Sequence, residues 1–151
     1  MNHKLIRIAL VAIGTFVGLG AVAGGIALLT GVFAQAIPVV WLQGTPFSDY
    51  TVPGLALAIL VGGGMLLAAA TVFIRREWAV LVSVIAGIFM AVFEVVEAVS
   101  IDSKAGDGLP LVAGLQAFYF VLGLAIFGLA AYLWRAEYRD QSFLTRHVSH
   151  A

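Results

Sequence analysis

The chain has 151 residues, 62% of them hydrophobic and 11% charged, with a mean hydropathy of +1.07, where a soluble domain would carry about a quarter charged residues. Eight basic and eight acidic residues cancel, which removes the basic excess that nucleic-acid binding draws on. The absence of cysteine excludes thiol nucleophiles, disulfide exchange, thiolate zinc sites and Cys-held iron–sulfur clusters, so the composition describes an integral membrane protein with little chain left for a soluble module.

No charged residue occurs between Arg7 and Asp49, and a first span is predicted over 8–29. Its basic start, apolar stretch and Ala34-Gln35-Ala36 triplet also fit a signal peptide, but the stretch is about twice the usual 7 to 15 residues, so it reads as a retained helix. The loop 30–52 is apolar for a segment in water, and Pro38, Pro46 and Pro53 prevent one continuous helix through it. It is expected to lie along the membrane surface or to cap the bundle. A second span, 53–74, begins at Pro53 and passes through Gly62-Gly63-Gly64 until Arg75-Arg76-Glu77 stops it. Trp78 opens a third span, 78–99. A polar stretch, 100–110, leads through Pro110 into a fourth, 111–134, and 135–151 is a polar tail. The whole chain, 1–151, reads as one all-α membrane domain, an antiparallel bundle of four transmembrane helices.

Basic residues give the orientation. Lys4, Arg7, Arg75, Arg76, Arg135, Arg139 and Arg146 fall on one side and only Lys104 on the other. The positive-inside rule then places both termini in the cytoplasm and the 30–52 and 100–110 loops outside. Trp41, Trp78 and Trp134 fall near predicted boundaries, as interfacial aromatics do. The inner basic rim should meet anionic lipid head groups, a generic property of this topology.

Helices in a bilayer associate through close contact, which small residues allow. Gly14, Gly18, Ala21 and Gly25 form such a stripe on the first span, and Ala58, Gly62, Met65 and Ala69 on the second. Ser83, Gly87, Ala91, Glu94 and Ala98 form one on the third. On the fourth, Gly123 is flanked at helical spacing by Gln116, Phe120, Phe127 and Ala130. This spacing predicts near-antiparallel packing. Gly14–Gly18 and Gly20–Gly24 lie on different faces, so one pair can serve the bundle and the other a partner subunit.

Glu94 and Glu97 are the only carboxylates inside a predicted span. Counted from a cytoplasmic Trp78, Glu94 sits about 7 to 8 Å outside the midplane and Glu97 about 12 Å. Glu97 can therefore reach the outer interface. Glu94 falls on the small-residue stripe and should point into the bundle, where an intramembrane acid is a site candidate by default. Gln116 and Tyr119 begin the fourth span at similar depth, and Asp49 and Tyr50 lie in the loop above. The six residues are expected to form an outer polar cluster, with an apolar rim from Trp41, Phe47 and Phe118 suited to a lipid head group, a quinone or another small amphipathic ligand. The plain alternatives are that Glu94 bonds Gln116, Tyr119 or a carbonyl and fixes register, that Asp49 caps a turn and that Tyr119 belongs to the aromatic belt.

Other chemistries lack their residues. The histidines, His3, His147 and His150, are all in the tails, so haem held by two embedded histidines and a metal centre are not expected. The glycine triplet lacks the Lys and Ser or Thr of a phosphate loop. Ser83, Ser100 and Ser103 have no histidine partner in a span. No catalytic residue and no cofactor is assigned.

The runs Thr45-Pro46-Phe47-Ser48-Asp49-Tyr50-Thr51-Val52-Pro53-Gly54 and Leu115-Gln116-Ala117-Phe118-Tyr119-Phe120-Val121-Leu122-Gly123 resemble small four-helix bacterial membrane proteins of unassigned function. The resemblance implies the topology and a bacterial inner membrane, and it carries over no functional residue. The leading expectation is a non-enzymatic accessory subunit or binding protein whose outer polar cluster takes a partner or a small amphipathic ligand. Its partners would be membrane lipids and a homo-oligomer or larger membrane complex. The alternative is an oligomeric proton- or cation-coupled transporter using Glu94 and Glu97.

Overall fold

The computed structural model of the chain describes residues 2–32, 34–74, 76–101 and 109–139, and is helical with no strand among them. Arg75, Ser103, Lys104, Arg146, His147 and His150 lie outside the described residues. Four helices are long and apolar enough to cross a membrane: α1 (His3–Thr30), α2 (Thr51–Thr71), α3 (Glu77–Ile101) and α4 (Leu109–Trp134), the last continued by a π-helical turn, Arg135–Arg139. Large apolar side chains cover the outside, with Leu19 58%, Ile59 62% and Val121 60% exposed. A protein in water would not leave such a continuous apolar surface, so the helices suggest a membrane protein.

Asn2 starts α1, its side chain accepting the Lys4 N–H at 3.0 Å, so the helix begins five residues before the apolar run that marked position 8. Gly31 ends it in the left-handed conformation, φ 71°, donating back to the carbonyls of Ala27 and Leu28. The chain then makes a 3₁₀ turn, Val39–Leu42, which buries Leu42, before α2 begins at Thr51. Within α2 the segment Ala56–Gly63 is π-helical. The helix stops at Thr71, short of position 74; Val72, Phe73 and Ile74 turn away from it, and α3 begins at Glu77.

Each helix packs against its sequence neighbour and α1 closes against α4. The tightest contacts are within two antiparallel pairs, α1 with α2 and α3 with α4, and glycines set both. A Cβ placed on Gly25 would lie 2.5 Å from the Gly54 carbonyl oxygen, and one on Gly62 would lie 2.9 Å from the Val22 nitrogen. In the second pair, a Cβ on Gly87 would lie 2.6 Å from the Phe127 nitrogen and 2.9 Å from the Gly123 oxygen. Gly14, Gly18 and Gly25 thus face Ala58, Gly62, Met65 and Ala69, as the small-residue stripes predict, and Gly54 extends the second stripe by one turn. Between the pairs the core is filled by Leu10, Val17, Val61, Met65, Met90, Ile126 and Leu133. The other glycine pair on α1 is partly occupied: Gly20 lies against the Tyr119 hydroxyl and Gly24 against Leu57.

Because the added methyl meets backbone, Gly87→Ala must part α3 from α4 and should lower stability by about 1 to 3 kcal/mol in an SDS titration of the micellar protein. Gly128→Ala, whose Cβ would meet nothing within 4 Å, should change the midpoint by less than about 0.5 kcal/mol. Equal effects would show that close approach at Gly87 does not hold the pair together.

Candidate functional site: a cavity at the loop end

Two ends of the bundle differ in chemistry. One carries His3, residues 72–74 and Arg139, and is called the terminal end; the other carries the loop residues 34–50 and is called the loop end. At the loop end α2 and α3 part, and a cavity of about 360 Å³ occupies the space between them. Leu57, Leu60 and Val61 of α2 face Phe89, Phe93 and Val96 of α3 across it, with Gly24 and Leu28 of α1 behind. The loop folds over its top through Ile37, Leu42, Thr45, Phe47 and Tyr50, so it caps the bundle. Four lining residues on α2, Ala56, Leu57, Leu60 and Val61, belong to the π-helical segment, a distortion found often at functional sites.

The lining is apolar except for Glu97, Ser100, Thr45 and Tyr50, which supply the polar groups. Ser100 and Thr45 return their hydroxyl protons to the backbone, to Val96 O at 2.7 Å and Leu42 O at 2.7 Å. The Tyr50 hydroxyl donates to Pro38 O at 3.2 Å, which ties the start of α2 to the loop. Partial burial, and after it the charge of Glu97, push that hydroxyl above its ordinary range. Several lining residues are also open to the outside of the bundle, Leu60 56%, Val92 53% and Val96 54% exposed, so the cavity communicates sideways with the surface that lipid would cover.

The six candidate residues occupy four places. Glu97 and Tyr50 line the cavity together. Glu94, 5% exposed, and Gln116, 7% exposed, are buried outside its lining. Gly87 faces Gly123, and two turns further toward the loop end on each helix bring Glu94 and Gln116 level. No hydrogen bond to Glu94 forms among the described residues, and the Gln116 side-chain nitrogen is buried without a partner, as is the Ser83 hydroxyl. Tyr119 sits at the α1–α4 contact, its hydroxyl against Gly20 and its ring edge-on to Phe118. Asp49 is exposed and accepts the Thr51 N–H at 2.8 Å, a bond that caps α2 and holds the carboxyl below its usual range. Of the expected rim, Phe47 lines the cavity. Phe118 instead faces outward against Phe16, with ring centroids 6.4 Å apart, and Trp41 is not in the lining. No group of His, Asp and Glu suited to a metal occurs among the described residues.

The terminal end holds a second polar cluster that the sequence reading did not find. Arg7 is 4% exposed, not a solvated flank: one guanidinium nitrogen donates to the Val72 carbonyl and another to Glu137 Oε2 at 2.5 Å. His3 Nδ1 lies 3.1 Å from the other Glu137 oxygen. Beside it the Trp134 indole N–H donates to Glu77 Oε1 at 2.9 Å. Arg7 thereby joins α1, the end of α2 and α4. The only sequence signal was an acid, Glu137, between two of the arginines following α4.

No family model, no curated protein and no solved structure matches the chain.

Removing one partner of a buried ion pair leaves the other charge uncompensated. Glu137→Ala should therefore cost about 2 to 3 kcal/mol in the same SDS titration, discounted because the Glu137 side chain is 21% exposed. The double replacement Arg7→Met with Glu137→Leu should cost less than Glu137→Ala alone. Additive losses would mean that the pair contributes through packing only.

Proposed function

We propose that this protein is a non-enzymatic, multi-pass component of a bacterial cytoplasmic membrane that binds a small amphipathic molecule in the cavity between α2 and α3. The observation that carries the reading is the cavity's composition: largely apolar walls, with Glu97, Tyr50, Thr45 and Ser100 as the few polar groups. Ligand sites of this size commonly combine apolar walls with a few convergent polar groups that fix orientation. The sideways opening suits a molecule arriving from the bilayer, and the loop above suits one whose polar head stays near the interface. An accessory role in a larger membrane assembly fits a chain this small. The transport reading has less support, because Glu97 lines the cavity and Glu94 does not, so the two carboxylates do not share one chamber. Glu94 lies buried level with Gln116 and takes no part in the cavity.

The positive-inside rule places the terminal end in the cytoplasm and the loop end outside. The cysteine-free sequence allows a direct test. Ser48→Cys, in the loop, should react with a membrane-impermeant maleimide on intact cells, and Arg139→Cys only after lysis; the reverse pattern would invert the proposed orientation.

Binding is tested by native mass spectrometry of the protein extracted in mild detergent. The wild type should retain a recurrent small-molecule adduct. Ala56→Phe, which fills the cavity from α2, should lose it, and so should Val96→Trp from α3, both with an unchanged SDS midpoint. An adduct that persists in both variants would place its site elsewhere, and a wild type without adduct would remove the ligand reading.

A further inference from the structure

What the cavity offers a ligand depends on where its hydroxyl protons go. Among the described residues the lining holds three hydroxyls, and each gives its proton to a backbone carbonyl: Ser100 to Val96 O at 2.7 Å, Thr45 to Leu42 O at 2.7 Å and Tyr50 to Pro38 O at 3.2 Å. A hydroxyl has one proton and two lone pairs, so what each can still present to a ligand is an acceptor. Backbone donors nearby are engaged in the same way. Thr45 N–H donates to Leu42 O at 3.0 Å and Phe47 N–H to Thr45 Oγ1 at 3.3 Å, while Pro53 has no N–H to give. Glu97 interacts within the protein, and the hydroxyls set the preference without it.

A head group that only accepts, such as a quinone carbonyl, an ester or an ether, meets a lining whose protons are already placed. To bond it, a hydroxyl must turn away from its carbonyl, which exchanges one hydrogen bond for another with no net gain. A head group that donates adds a bond while every existing one is kept. The hydroxyls also stand where a head group would. Ser100 is in the last turn of α3 and Thr45 and Tyr50 are in the loop above, whereas Phe89, in the apolar part of the lining, lies about 16 Å back along α3 from Ser100.

Resting on the cavity reading above, we propose that the site selects hydroxyl-bearing amphiphiles over acceptor-only ones of the same shape, the head O–H donating to the oxygens of Ser100, Thr45 or Tyr50 and the tail lying along Leu57, Leu60 and Val96. Such a hydroxyl is carried by aliphatic alcohols and by hydroquinones. Of the ligands expected from the sequence, the oxidised quinone is thereby disfavoured.

The test uses the full chain in mild detergent and equilibrium dialysis, with retention counted above that of empty micelles. The probes are two pairs that differ in the donor alone: 1-decanol with decyl methyl ether, and decylhydroquinone with decylbenzoquinone. Wild type should retain the donor of at least one pair about fivefold better than its mate, and Ala56→Phe should abolish that retention. A preference confined to 1-decanol would assign the head to an aliphatic alcohol, and one confined to decylhydroquinone to a phenol. Removing the three oxygens together, by Thr45→Val, Tyr50→Phe and Ser100→Ala, should bring donor and mate within about twofold; Ser100→Ala alone should lower the ratio if the triple variant does not fold. A ratio unchanged in these variants, or equal retention within both pairs by the wild type with loss in Ala56→Phe, would overturn the donor selection and leave the cavity reading in place. Retention unaffected by Ala56→Phe, or no retention of any probe, would overturn both.

Discussion

Contact between helix backbones at glycine is the constraint from which the rest of this structure follows. In a bilayer the lipid tails are as apolar as the side chains, so helices gain little by hiding apolar surface from them and must associate through close fit. At Gly25 with Gly54, Gly18 with Gly62 and Gly87 with Gly123, the backbones approach until no Cβ can be added without displacing the neighbouring chain. These contacts bind α1 to α2 and α3 to α4. They also fix the rotation of each helix, and so decide which residues face inward.

That rotation explains where the polar groups end up. Glu94 lies two helical turns from Gly87 on the same face, and Gln116 two turns from Gly123, so both are carried into the interior. Glu97, three residues on, is turned toward α2 instead. There the seam between the pairs lacks the glycine contacts seen within each pair, and a cavity lies between the π-helical part of α2 and α3. Cavity and tight packing are two results of one distribution of small residues. At the opposite end Arg7 performs by hydrogen bonding what glycine performs elsewhere, joining three helix ends through the Val72 carbonyl and Glu137.

The small-residue stripes were legible in the sequence because they need only helical periodicity and a rule about packing in lipid. Glu94 was legible as an inward residue for the same reason. The single outer cluster was not, because depth along a helix can be counted while the separation of α2 from α3 depends on the π-helical segment and on the course of the loop. Neither leaves a periodic trace. Asp49 and Tyr50 are adjacent in sequence, yet one caps α2 in the open and the other enters the cavity. Arg7 was read as an orientation signal, which any basic residue at a span boundary resembles, and nothing near it reveals a partner far along the chain at Glu137. Trp134 likewise reads as an interfacial anchor until Glu77 is seen to accept its indole proton.

In a bilayer, the exposure of the lining residues Leu60 and Val96 would make the neighbouring lipid part of the cavity wall. A membrane's thickness and lateral pressure act on helices through their lipid-facing sides, and mismatch is relieved by tilt. Here tilt falls most easily on the seam between α2 and α3, since each tight pair resists shear where its glycines touch. In a bilayer, forces that spread the two pairs would widen the chamber, and forces that press them together would narrow it.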